Sequence, residues 1–371
     1  MSSQRDRTVA IAERLFGQLP SAAKFVAIAV ALAIGLVAFV AFKGQKTAPP
    51  ATTEPTRVVF MFWNVENLFD DRDDKRNSID DPYDNWFAQD AGARKLKYDH
   101  LAEVILKVND GKGPDVFAGV EVESLRAAEL LRDALNAKLP TGAAKFEHVA
   151  MKELTHNAGR YIAPCVISRI PLDAARTKLL GSSNLRLLET HLGTNPSDLC
   201  LVVSHWTSQR SDDGTRKGSG RDKYATTIYE EYERIVKDDP DADFLLCGDF
   251  NTPPDSEPVT RELHMTGNRD EVTPTRTAPK LFGLLSNKSP DSFGTHYYGK
   301  PLIYDQIGIS PGLLDDKGWS CDPDSVTVPT EGMIRDKART RRPWRFGDKH
   351  ENPQGRGYSD HFPVVVTLRV K

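Results

Sequence analysis

The sequence predicts an α/β domain built in layers, and three observations predict it. Eight short runs rich in Val, Ile, Leu and Phe follow one another from residue 58 to the end, with little polar alternation. Strands covered on both faces read this way. Between some of them lie three stretches whose apolar residues recur at helical spacing. Strands and helices thus interleave, as they do where helices pack against a sheet. No internal repeat is evident.

The strand-like runs, in order, are residues 58–65 (VVFMFWNV), 116–122 (VFAGVEV), 161–168 (YIAPCVIS) and 185–192 (LRLLETHL). They continue with 199–206 (LCLVVSHW), 244–250 (FLLCGDF), 302–309 (LIYDQIGI) and 363–370 (PVVVTLRV). The first helix falls in residues 97–108, where Leu101, Val104, Ile105 and Val108 share a face. The second, residues 124–139, opens on the capping residue Ser124 and carries Leu130, Leu131 and Leu135. The third falls in residues 221–236.

Composition is that of a globular chain: 371 residues, 39% hydrophobic, 27% charged, formal net charge -3. The charge balance excludes a protein that coats nucleic acid by bulk charge, though not a locally basic cleft. The four cysteines, Cys165, Cys200, Cys247 and Cys321, form no C-x-x-C pair, which argues against a zinc or redox motif of that kind. The first three lie in apolar runs and are expected as buried free thiols.

Residues 25–42 (FVAIAVALAIGLVAFVAF) carry no charge and no polar face. At about 1.5 Å per residue they span about 27 Å, close to the hydrocarbon thickness of a bilayer. The stretch is too long for the apolar region of a typical signal peptide and lacks a clean small-residue cleavage site, so an uncleaved anchor is favoured. Arg5, Arg7, Arg14 and Lys24 precede it, against Lys43 and Lys46 after it. That excess places the N-terminus in the cytoplasm and the rest outside or in the periplasm. The expected organisation is a cytoplasmic segment 1–24, an anchor 25–42, a flexible linker 43–56 and a domain 57–371.

Several apolar runs end in polar clusters, and strands ending on one sheet edge deliver such side chains to one place. Asn64 and Glu66 close the first run; their oxygens are hard donors suited to magnesium, manganese or calcium. Glu121 closes the second. A carboxylate there needs a cation or a donor beside it, so it is expected as a metal ligand, with Glu123 as a helix cap or a support behind it. His205 ends the fifth run beside Trp206 and the hydroxyls of Thr207 and Ser208, where it can donate to a phosphate oxygen. Asp249 and Asn251 lie in GDFNTPP. Gly248 is read there as a tight turn, Asp249 as a group that orients or deprotonates water, and Asn251 as a phosphoryl contact, with prolines locking the exit. Asp305 precedes QIGI, and Asp360–His361 precede the final run. A carboxylate such as Asp305 would hold the His361 imidazole in one tautomer and raise its pKa.

The ordered series W-N-V-E-N, G-V-E-V-E, S-H-W-x-S, G-D-F-N, Y-D-Q-I and S-D-H resembles the endonuclease/exonuclease/phosphatase superfamily, over roughly residue 58 to the C-terminus. G-D-F-N and S-D-H carry most of the specificity. The resemblance implies a four-layer α/β/β/α sandwich of two mixed β-sheets flanked by helices. It implies Glu121 as the main metal ligand with Asn64, Glu66 and Asp360 beside it, and Mg2+ or Mn2+ as the cofactor. It implies Asp249 and Asn251 at the water and phosphate, Asp305 paired with His361, and His205 on the scissile phosphate. Glu66 departs from relatives that carry Asp there.

The implied reaction is in-line attack of water on a phosphoester, with Asp249 or His361 taking the proton. A nuclease or phosphodiesterase is the first reading. A membrane-associated phospholipid or inositol-phosphate hydrolase is the second, and an inactive phosphate-binding module the third. For substrate contact the sequence offers Ser208, Arg221 within the basic run 216–223, and Arg345 within 335–349. The latter run holds seven Lys or Arg against two Asp, with Trp344 and Phe346 among them. The acidic stretch 70–84 is expected as an exposed loop, since it has no calcium-loop pattern. No protein partner is inferable.

Overall fold

A computed structural model describes residues 56–155, 159–182, 184–194, 197–209, 220–334 and 340–371. The chain divides into two units, Met1–Glu54 and Pro55–Lys371. The expected anchor, residues 25–42, lies outside the described residues. Among the described residues no helix is long and apolar enough to cross a membrane.

The strands are β1 (Thr56–Leu68), β2 (Val116–Val122), β3 (His148–Met151), β4 (Ala163–Ser168) and β5 (Lys178–Leu179). Next come β6 (Leu187–Thr194), β7 (Ser197–His205), β8 (Phe244–Asp249), β9 (Met265–Thr266) and β10 (Leu281–Gly283). Then follow β11 (His296–Tyr297), β12 (Pro301–Leu302), β13 (Asp305–Ile309), β14 (Trp319–Thr327) and β15 (Val364–Val370). Six strands form one mixed sheet in the order β14-β15-β1-β2-β4-β3, and seven form a second in the order β5-β6-β7-β8-β13-β10-β9. Strands β11 and β12 make a small ribbon.

Alternation along β7 and β8 shows why these runs are apolar on both faces. Leu199, Leu201, Val203, Leu245 and Cys247 join the core between the sheets. Cys200, Val202, Phe244 and Leu246 point the other way. The helices are α1 (Asp81–Gln89), α2 (Ala91–Leu106), α3 (Leu125–Lys138), α4 (Gly220–Asp238) and the one-turn α5 (Pro290–Phe293). Leu101 and Ile105 of α2 and Leu131 and Leu135 of α3 pack on the first sheet. Ile228 and Tyr232 of α4 pack on the second. The result is the expected four-layer α/β/β/α sandwich, and all eight strand-like runs contain strands. The four cysteines are buried and free.

Three expectations are corrected. The acidic stretch 70–84 is an exposed loop only in part: residues 70–80 form a loop with Arg72, Asp74, Lys75, Ser78 and Ile79 exposed, but Asp81 starts α1, and Asp70, Asp80 and Asp84 are buried. Each carboxylate has a donor that composition does not show: Ser124 Oγ for Asp70, Arg160 and the Tyr161 amide for Asp80, and the Lys75 amide for Asp84. Glu123 caps no helix; Ser124 accepts from the Ala127 amide to cap α3, and Glu123 pairs with Arg76. Gly248 makes no turn. It lies inside β8, where a Cβ would collide with Ser204 of β7, so it permits close strand approach.

Candidate active site

Adjacent strand ends assemble the site. On the second sheet, Asp249 at the end of β8 pairs in register with His205 on β7 and with Asp305 on β13. On the first sheet, β1 and β2 run in step from Phe60–Val116 to Asn64–Val120, then resume only at Leu68–Val122. The β2–β4 ladder also breaks, between Gly119 and Val122. Glu121 sits in this double interruption with φ 67°, and Glu66 and Asn67 opposite it have φ 50° and 58°. Asn251, past β8, has φ 50°. Such bulges re-aim side chains at sheet rims, and left-handed backbone at non-glycine residues is strained.

The Asn64 amide bridges the two sheets. Its Nδ2 donates to Asp249 Oδ2 at 3.0 Å and to Glu121 Oε1 at 3.3 Å. The Asn67 amide donates to the other Glu121 oxygen at 3.0 Å. Asp249 Oδ1 accepts from the Asn251 amide at 2.9 Å, and Asn251 Nδ2 also reaches Asp249 Oδ2 and the Trp206 carbonyl. The loop bearing Asp360 and His361 is fixed to β1: Trp63 Nε1 donates to the His361 carbonyl, and Ser359 Oγ to the Asn64 carbonyl. His361 Nδ1 lies 2.6 Å from Asp305 Oδ2, and Nε2 lies 3.7 Å from Asp249 Oδ2. His205 Nε2 stands 3.7 Å from Glu121 and 3.8 Å from Asp249.

Burial and charge set the protonation states. Burial pushes the Asp249 carboxyl up to about 7; the Asp305 charge adds to this, while His361 opposes it. Burial pushes the His361 imidazole down, but the Asp305 and Asp249 carboxylates outweigh it and hold its pKa well above the ordinary histidine value. His205 is depressed well below that value by burial and by the positive Arg186, so it is neutral at pH 7. Two histidines in one cleft therefore hold opposite charge states.

A cleft of about 450 Å³ opens over these groups. Glu121, His205, Ser208, Asp249, Asn251, Arg345, Asp360 and His361 line it, as the sequence expected. Asn64 and Asp305 sit behind its wall, hydrogen-bonded to Glu121, Asp249 and His361, which line it. Glu66 also lies behind the wall. Its two oxygens accept from the Phe346 and Gly347 amides at 2.7 and 3.2 Å, and Arg345 Nε is 3.6 Å away. Burial, then repulsion from Asp360, pushes Glu66 up to about 8. Arg221 opens α4 beside the cleft, where its charge acts on Tyr304.

Residues 210–219 and 335–339, which hold parts of both basic runs, lie outside the described residues. The described part of the second run is mixed: Arg342, Arg345 and Lys349 are exposed, while Arg341 and Phe346 are packed. Arg341 donates to the Gly294 and Val328 carbonyls, and Phe346 is buried against Trp86 and Phe87. Of that run, Arg345 alone lines the cleft among the described residues.

Sequence reasoning missed His296, Tyr298, Tyr304 and Gln209, which also line the cleft. The His296 ring stacks on His361 at 4.4 Å and on Tyr304 at 5.5 Å, and its Nδ1 contacts the Asp360 carbonyl. No strand-like run flags it, because β11 is two residues long.

Glu121, Asp249 and Asp360 each contribute a carboxylate, a hard oxygen donor, to the cleft lining. The groupings Asp249–Asp305–His361 and His296–Asp360–His361 each bring ligand atoms within 4.8 Å of one another. This donor set fits a small divalent cation.

A model of the Endonuclease/Exonuclease/phosphatase family matches residues 178–370, more than half of the chain. No curated protein matches. Among solved structures, truncated Caenorhabditis elegans TDP2 is 14% identical, with 85% of this chain and 98% of that chain covered and a TM-score of 0.50. An endonuclease/exonuclease/phosphatase family protein from Bacteroides thetaiotaomicron is 15% identical over 86% of this chain and 100% of that chain, with a TM-score of 0.49. At such identity the TDP2 likeness speaks to the fold alone.

Proposed function

We propose that this chain, which belongs to the endonuclease/exonuclease/phosphatase family and is thus a metal-dependent phosphoester hydrolase, acts as a nuclease or phosphodiesterase by in-line water attack. The observation that carries this reading is the Asp249 carboxylate. It is buried, held by two asparagine amides, and 3.7 Å from a histidine that is itself braced by Asp305.

In this reading Glu121 and Asp360 hold the cation, Mg2+ or Mn2+, with the Asn64 amide fixing the Glu121 carboxylate. Such an ion, when bound, neutralises charge on the phosphoryl and leaving oxygens. Asp249 accepts the proton of the attacking water, because its pKa of about 7 matches that task at neutral pH. His361, kept protonated by Asp305, donates to a phosphoryl oxygen rather than acting as base. Neutral His205 donates to the same group, and the Asn251 amide joins it by exchanging its bond to the Trp206 carbonyl for one to the phosphoryl oxygen. Ser208, Arg221 and Arg345 contact the remainder of the substrate. Glu66 positions the Arg345 loop through the two amides it accepts.

The apolar stretch 25–42 favours a second reading, a hydrolase of phospholipids or inositol phosphates held at a membrane surface with its N-terminus cytoplasmic.

The test is a Mg2+-dependent panel: plasmid DNA, single-stranded DNA, RNA, sphingomyelin, inositol phosphates and bis(p-nitrophenyl) phosphate. Turnover of nucleic acid or of the simple diester, lost in Glu121→Ala, supports the first reading. Turnover confined to lipid or inositol phosphates supports the second. No turnover on any, with no metal bound, returns the inactive phosphate-binding module. Full activity in Glu121→Ala with chelator still inhibiting overturns the ligand assignment.

A further inference from the structure

Away from the cleft, the β6–β7 pair carries a second group of metal-ligating side chains. Glu189 and His191 are two residues apart on β6 and so project from one face, and Cys200 lies directly opposite His191 on β7. This is the face that α4 covers, where Cys200 packs in a cluster with Leu187 and Ile228. A carboxylate oxygen of Glu189, an imidazole nitrogen of His191 and Sγ of Cys200 all lie within 4.8 Å of one another.

Two further observations point to a ligand. Glu189 is 2% exposed, and its Oε2 is buried with no hydrogen-bond partner. A buried carboxylate oxygen without a donor is destabilising, and a cation satisfies it. His191 Nδ1 lies 3.0 Å from Asp198 Oδ2, which leaves Nε2, 3.3 Å from Glu189 Oε1, facing the group. A carboxylate on the ring nitrogen that faces away from the ion is the usual brace of a metal-bound histidine.

We propose that Glu189, His191 and Cys200 form a second metal site, for a zinc-class transition-metal ion, distinct from the catalytic cation. A thiolate, an imidazole and a carboxylate select such an ion, whereas the oxygen donors of the cleft suit magnesium or manganese. Zinc at about 2.0–2.3 Å from each donor needs them roughly 3.3–3.7 Å apart, a closure of about 1 Å for the widest pair. The partly exposed edge of His191 gives the ion an entry path and leaves a fourth position for water. Binding expels the imidazolium proton and the thiol proton, so two protons leave as one dication enters and the net charge of the group is unchanged. Lys178, 3.2 Å from Glu189, then rests on Glu231 of α4, from which it is already 3.0 Å. Cys200 precedes His205 by five residues on β7, about 17 Å along the strand. The ion therefore pins β6 to β7 at the end of the sheet away from the cleft.

The probe is Co2+ titrated into the full, reduced chain, because cobalt bound to a thiolate shows a charge-transfer band that oxygen ligands do not give. The expected result is one equivalent with that band, retained in Glu121→Ala and lost in Cys200→Ser. Zn2+ should compete it away, and Asp198→Asn should weaken Zn2+ binding roughly tenfold or more. Should Cys200→Ser not fold, Glu189→Gln is the second variant, expected to lower Co2+ affinity at least tenfold while the protein stays folded. No thiolate band at saturating Co2+, or a band that survives Cys200→Ser or is unaffected by Glu189→Gln, overturns the site.

Discussion

Asp305 holds His361 through a 2.6 Å contact between Oδ2 and Nδ1, from a position with no solvent exposure and with its other oxygen unpartnered. The pair fixes the ring so that Nε2 faces Asp249 and the cleft. Asp305→Asn keeps the shape but removes the charge that sustains the imidazolium. It is expected to lower kcat by about 10²- to 10⁴-fold with little change in KM. The alkaline limb of the kcat profile should move to lower pH. A pH series on a simple phosphodiester checks both, and an unchanged limb would show that His361 does not act as an acid.

Stability without metal should fall as pH rises. Glu66 and Asp249, pushed up to about 8 and about 7 chiefly by burial, contribute stability that is complete below their ordinary values. That stability is lost as pH rises through the folded values. His361, raised by its carboxylate partners against burial, works in the same direction above about 6.5. His205 has a depressed value, so it removes stability only as pH falls below about 6.5. Between pH about 6.5 and about 8 the Tm of the metal-free chain is thus expected to decline. Saturating Mg2+ should raise it more at the upper end. Thermal melts across that window, with and without Mg2+, are the measurement; a rising metal-free Tm contradicts the assigned shifts.

At position 121 two inactive variants should differ in stability. Both Glu121→Ala and Glu121→Gly remove the carboxylate, but alanine must still adopt φ 67°. Glycine does so without strain, so Glu121→Gly is expected to be the more stable by about 1 kcal/mol. Urea melts of the pair decide it, and equal midpoints would mean that the backbone relaxes once the side chain is gone.

Glu66→Gln separates a loop anchor from a metal ligand. Glutamine offers one acceptor oxygen where Glu66 presents an oxygen to each of the Phe346 and Gly347 amides, so one of the two bonds is lost and Arg345 should loosen. KM is expected to rise about 5- to 30-fold, the equivalent of roughly 1–2 kcal/mol. The Mg2+ concentration for half-activation should stay unchanged. A shift in that concentration instead would identify Glu66 as a ligand.

The layers were legible because β7 and β8 must be apolar toward both the facing sheet and α4. The cleft was legible where strands end in polar residues, as at His205 and Asp249. Periodicity gives no sign of the broken ladder at Glu121, since VFAGVEV looks the same whether its carboxylate follows the pleat or leaves it. Nor does it reveal His296, which reaches the cleft through a two-residue ribbon and a stack on His361. The acidic stretch 70–84 misled for a related reason. Its carboxylates find their donors on Ser124, Arg160 and other residues that only the tertiary fold brings near.

The interruption of β2 at Glu121 also bears on how this protein tolerates improvement. Ordinary pairing across Asn64–Leu68 and Gly119–Val122 would make a sounder sheet and a worse catalyst. Selection for heat resistance alone would therefore tend to heal the flaw, trading left-handed residues for glycines or restoring the ladder. Libraries screened for stability should accumulate changes at positions 66, 67, 121 and 251, where the non-glycine φ values lie between 50° and 67°, and those clones should be the ones that lose turnover.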